Sequence, residues 1–160
     1  MPRRDAQQRF SRPRTRHALT VIELGIVIIV MAVLALFGIR QVAKARLAVR
    51  EQLAIDNLRT ISTACQFYLR ANLQYPPDLT MLGPSVSNPP YLSEALAKQT
   101  PVAQGYRFTY QTIDGQTFHL TADPIEYNVT GRRHFLADQT NTIHVTLEHR
   151  EAGPTDEVVP

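Results

Sequence analysis

Hydrophobic and polar positions change pattern twice along the chain, and the first segment is almost purely apolar. Residues 24–39 contain no polar side chain, and the apolar run reaches back to Leu19 with only Thr20 and Glu23 interrupting it. As a helix, residues 19–39 would be about 31 Å long, close to the thickness of the hydrocarbon core of a bilayer. The pattern therefore predicts a transmembrane helix over residues 19–39.

Residues 40–73 have the periodicity of an amphipathic helix. Apolar side chains recur there at steps of three and four, at Ala54, Leu58, Ile61, Cys65 and Tyr68. This spacing places them on one face of a helix that lies on a core. The same face is expected to be widened by Leu47, Val49, Leu53, Ile55 and Leu69. Because no proline occurs between Pro13 and Pro76, we predict one continuous helix from residue 19 to residue 73.

The remaining residues contain turn-forming sequences that separate segments in which apolar and polar residues alternate, as in a β-strand. Proline pairs and glycine make residues 74–104 a predicted loop region. From residue 105 onward, apolar and polar residues alternate on both sides of Asp114-Gly115, a strong hairpin signal. Residues 133–137 and 142–147 predict a second hairpin. We therefore expect a four-stranded antiparallel sheet within residues 105–148.

The predicted fold class is α+β, with a long N-terminal helix packed on this four-stranded antiparallel sheet. The helix has a membrane half, residues 19–39, and an amphipathic half, residues 40–73. A basic leader, residues 1–18, precedes it. The domain of residues 40–150 contains the rest of the fold, and residues 151–160 are expected to be a disordered tail.

The positive charge of the chain lies in its first 18 residues. The formal net charge is +3, but six arginines and only one acid, Asp5, lie before residue 19. An arginine-rich flank predicts a cytoplasmic leader, so the protein is expected to be a single-pass membrane protein whose C-terminal domain lies across the membrane. Without the leader the domain is not basic, and we expect no nucleic-acid partner. The single cysteine excludes an intramolecular disulfide and a cysteine-built zinc site.

The junction at Ala18 resembles the processing site of type IV prepilins and type II secretion pseudopilins. That family has a short basic leader, a small residue before the cut, and a hydrophobic helix whose fifth residue is glutamate. Counting Leu19 as the first mature residue, Thr20 and Glu23 stand where the family has threonine and glutamate. The residue before the cut is usually glycine and the next is usually Phe or Met, whereas this chain has Ala18 and Leu19.

The resemblance implies a pilin-like fold, a structural function and a single-pass location in a bacterial inner membrane with a periplasmic C-terminal domain. Prepilin peptidase would cleave between Ala18 and Leu19, the new N-terminus at Leu19 would be methylated, and Thr20 and Glu23 would take part in assembly. The protein would be a subunit of a type IV pilus or a type II secretion pseudopilus. Its partners would be the peptidase, the membrane, other pilin-like subunits and the inner-membrane assembly machinery.

Two other interpretations remain open at this stage. The chain could be a single-pass anchor for a periplasmic ligand-binding or enzymatic domain, with Glu23 reaching the membrane surface. It could also carry a secretory signal cut after Ala45. Sequencing the mature N-terminus separates the three interpretations.

No cofactor and no catalytic activity are predicted. The chain has no nucleophile elbow, phosphate loop or catalytic dyad. Four histidines lie on or near the predicted strands, but their spacing is not that of a metal motif, so no metal site is predicted: His119, His134, His144 and His149. Some pseudopilins bind calcium in the loops of the sheet, which by resemblance draws attention to Asp123 and Asp138. No EF-hand-like sequence accompanies them.

Overall fold

The computed structural model describes residues 20–159, apart from the side chains of residues 36–41 and 43. The chain divides into two compact units, Met1–Arg40 and Gln41–Pro160. Helix α1 contributes residues to both units, and a short 3-10 helix and six strands lie in the second. Their bounds are α1 Val21–Asn72, 3-10 helix Leu79–Leu82, β1 Val102–Ala103, β2 Tyr106–Ile113, β3 Thr117–Pro124, β4 His134–Asp138, β5 Ile143–Thr146 and β6 Glu157–Val158.

In the second unit, α1 contributes one apolar face to the core. The five residues at steps of three and four, from Ala54 to Tyr68, are all buried. Val49 and Leu53, which were expected to widen this face, are instead 58% and 38% exposed, so that prediction is wrong. The helix ends before Leu73, whose φ of 61° is left-handed and whose N–H donates to the carbonyl of Leu69.

The six strands form one antiparallel sheet in the order of the sequence, β1-β2-β3-β4-β5-β6. The hairpin between β2 and β3 turns at Asp114 and Gly115, where φ is 53° and 66°, the positive values that Asp-Gly tolerates. Alternate residues of β2 and β3 point into the core, including Tyr106, Phe108 and Phe118, which are fully buried. The core of the second unit therefore contains side chains from both the helix and the sheet.

The predicted four-stranded pilin-like sheet is wrong, because the described part of the chain, residues 20–159, forms a sheet of six strands. The two additional strands, β1 and β6, arise from segments predicted to be a loop and a tail. Each is two residues long, which is too short to show a period-two pattern in the sequence. Backbone pairing with β2 and β5 defines these strands, and that pairing depends on the fold.

The predicted transmembrane span is also contradicted. Within residues 20–159, no helix is both long enough and apolar enough to cross a membrane. The stretch without polar side chains, residues 24–39, corresponds to about 24 Å of helix, and spans usually need about 20 apolar residues. The single-pass inner-membrane location with a periplasmic domain is therefore not supported. Together with the six-stranded sheet, this finding contradicts the pilin-like description of the domain.

Candidate assembly helix

The two described residues of the predicted assembly motif lie together at the start of α1. Thr20 immediately precedes the helix, and its Oγ1 accepts a hydrogen bond of 3.3 Å from the N–H of Glu23. The carbonyl of Thr20 accepts from the N–H of Leu24 at 3.1 Å. Thr20 is thus positioned as an N-cap, and Glu23 lies in the first turn, where the helix dipole favours a negative charge.

The carboxylate of Glu23 is exposed, and no hydrogen bond or ion pair from another described residue reaches it. Ala18 and Leu19, the predicted cleavage and methylation positions, lie outside the described residues. The structure therefore positions Thr20 and Glu23 relative to each other, while the cleavage site stays a prediction from the sequence.

The helix that follows exposes large apolar side chains on every side. Their exposed fractions range from 46% to 89%, at Val21, Ile22, Leu24, Ile26, Val27, Ile28, Ile29, Val30, Met31, Val33 and Leu34. Six consecutive residues of this set, 26–31, cover the whole circumference of a helix at 3.6 residues per turn. A helix that is apolar all round is normally buried, so this segment is a candidate contact surface for several neighbouring chains.

The structure brings two of the four histidines together. His134 on β4 is 6% exposed, and its Nδ1 lies 2.6 Å from Oδ1 of Asp123. The rings of Tyr127 and His149 pack beside it, with centroids 6.2 Å and 6.0 Å from the His134 centroid. The remaining pair, His119 and His144, lie elsewhere on the sheet. Among residues 20–159, no group of three or more His, Cys, Asp or Glu side chains is arranged to hold a metal ion.

The two acids considered for calcium have local partners. Asp123 contacts His134, as described above. Oδ1 of Asp138 accepts from the N–H of Thr140 at 2.8 Å and from its hydroxyl at 2.5 Å. This is the usual capping arrangement of aspartate in a turn, here the turn between β4 and β5.

Cys65 is fully buried in the core. Burial raises the pKa of its thiol to about 12. Because the thiolate is the reactive form of cysteine, Cys65 is expected to be inert in the folded protein near neutral pH.

A buried carboxylate on α1 anchors the loop between β3 and β4, and the sequence patterns did not point to this carboxylate. Glu51 is 6% exposed, and its two oxygens accept from the N–H of Arg132 at 2.9 Å and from Nε of Arg133 at 2.8 Å. Nearby, Nη1 of Arg50 donates to the carbonyl of Val129 at 3.1 Å. Glu51 stands three residues before Ala54 and continues the spacing of the buried apolar residues. A charged residue at such a position was the signal in the sequence that could have indicated a buried carboxylate.

A second charged cluster closes the loop before β6. The guanidinium of Arg150 donates to both carboxylate oxygens of Asp156, at 2.8 Å and 2.6 Å, and to Glu148 at 2.6 Å. The N–H of Gly153 also donates to Asp156 at 2.7 Å. The hydrogen bonds from Arg150 are the largest cause that lowers the pKa of Asp156 to about 2.

The pKa of Asp156 predicts a pH dependence of stability. Because the folded pKa lies below the usual 3.8, the unfolded chain binds more protons between these values. The contribution of Asp156 should be complete above pH 3.8 and should disappear as the pH falls through about 2. We expect the stability difference between the wild type and Asp156→Asn, measured by thermal unfolding, to shrink over this interval. A difference that stays constant from pH 7 to pH 2 would contradict the assignment.

Comparison of the chain with protein-family models, with curated proteins and with solved structures finds no match. The resemblance to prepilins therefore rests on the residues around Ala18 and Glu23 alone.

Proposed function

We propose that the protein is a structural subunit of a filament of the type formed in type IV pili and type II secretion pseudopili. Prepilin peptidase would cleave it between Ala18 and Leu19, and the mature chain would assemble with like subunits through the N-terminal part of α1. The observation that carries this proposal is the all-round exposure of apolar side chains between Val21 and Leu34.

The distribution of these side chains favours several partners over one. A single docking partner would need one apolar stripe and would leave the opposite face polar. Here the apolar surface continues around the helix through residues 26–31. A helix surrounded by equivalent helices buries all its faces at once, and repeated head-to-tail contacts of this kind generate open filaments.

Glu23 supplies a polar group at the end of this apolar surface. By the prepilin resemblance, its carboxylate pairs with the free α-amine of Leu19 on a neighbouring subunit. Its exposure and the absence of a partner among the described residues leave it available for that contact. An ion pair enclosed by apolar helices needs both members, and removing one member of a buried pair costs roughly 3–5 kcal/mol.

Glu23→Ala tests assembly. We expect incorporation into filaments, measured by shearing or by cross-linking with the variant as the only copy, to fall sharply because the α-amine loses its partner. Cleavage at Ala18 should continue, since the peptidase acts on the precursor. Glu94→Ala removes an exposed carboxylate outside α1 and should assemble as the wild type does. Normal incorporation of Glu23→Ala would refute the proposed contact.

Replacements of Ala18 test processing separately. We expect the mature protein to begin at Leu19 when its N-terminus is sequenced. Ala18→Gly should preserve cleavage, and Ala18→Arg should block it because a long charged side chain replaces a methyl group at the cut. A mature N-terminus at Met1 or Arg46 would exclude the prepilin interpretation.

A further inference from the structure

Strand β2 has an edge that is only partly covered. The edge strand β1 pairs with Tyr106 and Arg107 alone, and the N–H of Phe108 donates to the carbonyl of Pro101 at 2.9 Å. Beyond that bond β2 continues to Ile113. Residues 109–113 therefore form the outer edge of the sheet, with β3 on their other side.

The hydrogen bond of Phe108 determines which backbone groups point outward. In an antiparallel ladder, the N–H and C=O of alternate residues point to the same side. Since Phe108 bonds towards β1, Tyr110 and Thr112 also direct their N–H and C=O groups away from β3. Among the described residues, no backbone hydrogen bond outside the ladder reaches these groups. Two residues thus offer two donors and two acceptors to an incoming strand.

We infer that this edge pairs with the same edge of a second copy of the chain, in an antiparallel arrangement about a two-fold axis at Gln111. In that register Tyr110 lies opposite Thr112 of the partner copy, and each such pair exchanges two backbone hydrogen bonds. The symmetry repeats the exchange, so all outward groups of Tyr110 and Thr112 are satisfied. The two six-stranded sheets become one continuous sheet.

The side chains of the segment fit a self-complementary contact. Residues 109–113 contain no charge, no proline and no glycine, so the features that usually protect an edge strand from pairing are missing. Thr109 lies opposite Ile113 of the partner copy, a β-branched pair that favours cross-strand packing. Exposed Arg107 and exposed Asp114 flank the segment at its two ends, so the antiparallel arrangement brings the basic end of one copy to the acidic end of the other. These features favour a second copy over an unrelated peptide.

Cysteine cross-linking of the full-length protein tests the pairing. Residues opposite each other at a non-hydrogen-bonded position have Cα atoms about 4.5 Å apart, within the range of a disulfide. Gln111→Cys should therefore form a disulfide-linked dimer rapidly under mild oxidation. Cys65 is present in every variant but is buried as a thiol, so it gives a common background.

His119→Cys is the matched control, because His119 is exposed on the same face and lies directly opposite Gln111 within one sheet. In the proposed dimer its two copies are three strand spacings apart, about 14 Å, and should not link. Equal cross-linking of both variants, or failure of Gln111→Cys to link, would overturn the inference. Either result would leave helix-mediated assembly untouched, since that depends on α1.

The register has an independent test. A mixture of Thr109→Cys and Ile113→Cys chains should form mixed disulfides, while each variant alone should not link, because like residues are about 13 Å apart along the strands. Adding Thr112→Pro to Gln111→Cys removes one outward N–H and keeps the backbone ladder to β3, so it should suppress linking. Both Thr112→Pro and Thr112→Ala lose the hydrogen bond of 3.2 Å from the Thr112 hydroxyl to the carbonyl of Thr117 on β3, so Thr112→Ala is the matched control and should still link. Absence of the mixed product, or linking that is insensitive to Thr112→Pro in a folded protein, would exclude this register.

Discussion

Replacing Glu51 by alanine is expected to lower the free energy of unfolding by about 2–3 kcal/mol. The change leaves the N–H of Arg132 without its acceptor and Nε of Arg133 without its ion-pair partner. This loss is smaller than the roughly 3–5 kcal/mol typical of breaking a fully buried ion pair, because the side chain of Arg133 is 42% exposed. Denaturant unfolding monitored by circular dichroism measures the loss.

Two further variants separate the contributions at this position. Glu51→Gln keeps an oxygen that can accept from Arg132 and removes the charge, so its loss should be intermediate. Gln52→Ala changes the neighbouring exposed residue and should alter stability by less than about 0.5 kcal/mol. If Glu51→Ala is no more destabilising than Gln52→Ala, the buried carboxylate does not anchor the loop.

Gly131→Ala is expected to destabilise the protein by about 1–3 kcal/mol, the usual cost of overpacking. A Cβ at this position would lie 1.9 Å from the hydroxyl of Tyr106 and 2.5 Å from the ring carbon that bears it. Tyr106 cannot simply move aside, because its ring is fully buried and its hydroxyl donates to the carbonyl of Arg133 at 3.1 Å. The loss is measurable by denaturant unfolding.

A double-mutant cycle identifies the clash as the cause. In a Tyr106→Phe background, which removes the closest atom, Gly131→Ala should cost less than it does in the wild type. The cost should not vanish, because ring carbons remain within 2.7 Å of the new methyl. Gly153→Ala, whose Cβ meets only Asp156 at 3.7 Å, is the control and should be nearly neutral. Equal costs at Gly131 in both backgrounds would contradict the proposed contact.

Local signals in the sequence predicted the parts of the fold that depend on near neighbours in the chain. The apolar seam from Ala54 to Tyr68 is buried because its spacing matches the pitch of a helix. The turn at Asp114-Gly115 forms because both residues accept positive φ. Thr20 and Glu23 were identified by resemblance to prepilins, and the structure adds that Thr20 caps the first turn.

Two predictions are wrong because an apolar pattern in the sequence does not show what surrounds the residues in the fold. The apolar run of residues 19–39 predicts a transmembrane span, but residues with polar side chains interrupt it at its start. No described helix is both long enough and apolar enough to cross a membrane. The apolar character of Val49 and Leu53 predicts that they join the core, but the packed face of α1 runs through Glu51 and Ala54 instead. Apolar character alone does not determine which face of a helix is covered.

The sequence by itself determined the amphipathic helix and the β2–β3 hairpin, since each depends on residues a few positions apart. Only the tertiary structure decided the contacts between distant residues. Glu51 meets Arg132 and Arg133 across about 80 positions, and β1 and β6 exist only because β2 and β5 present edges to them. The physical reason is that a buried charge or a two-residue strand is stable only when its partner is already in place, and no local pattern encodes that partner.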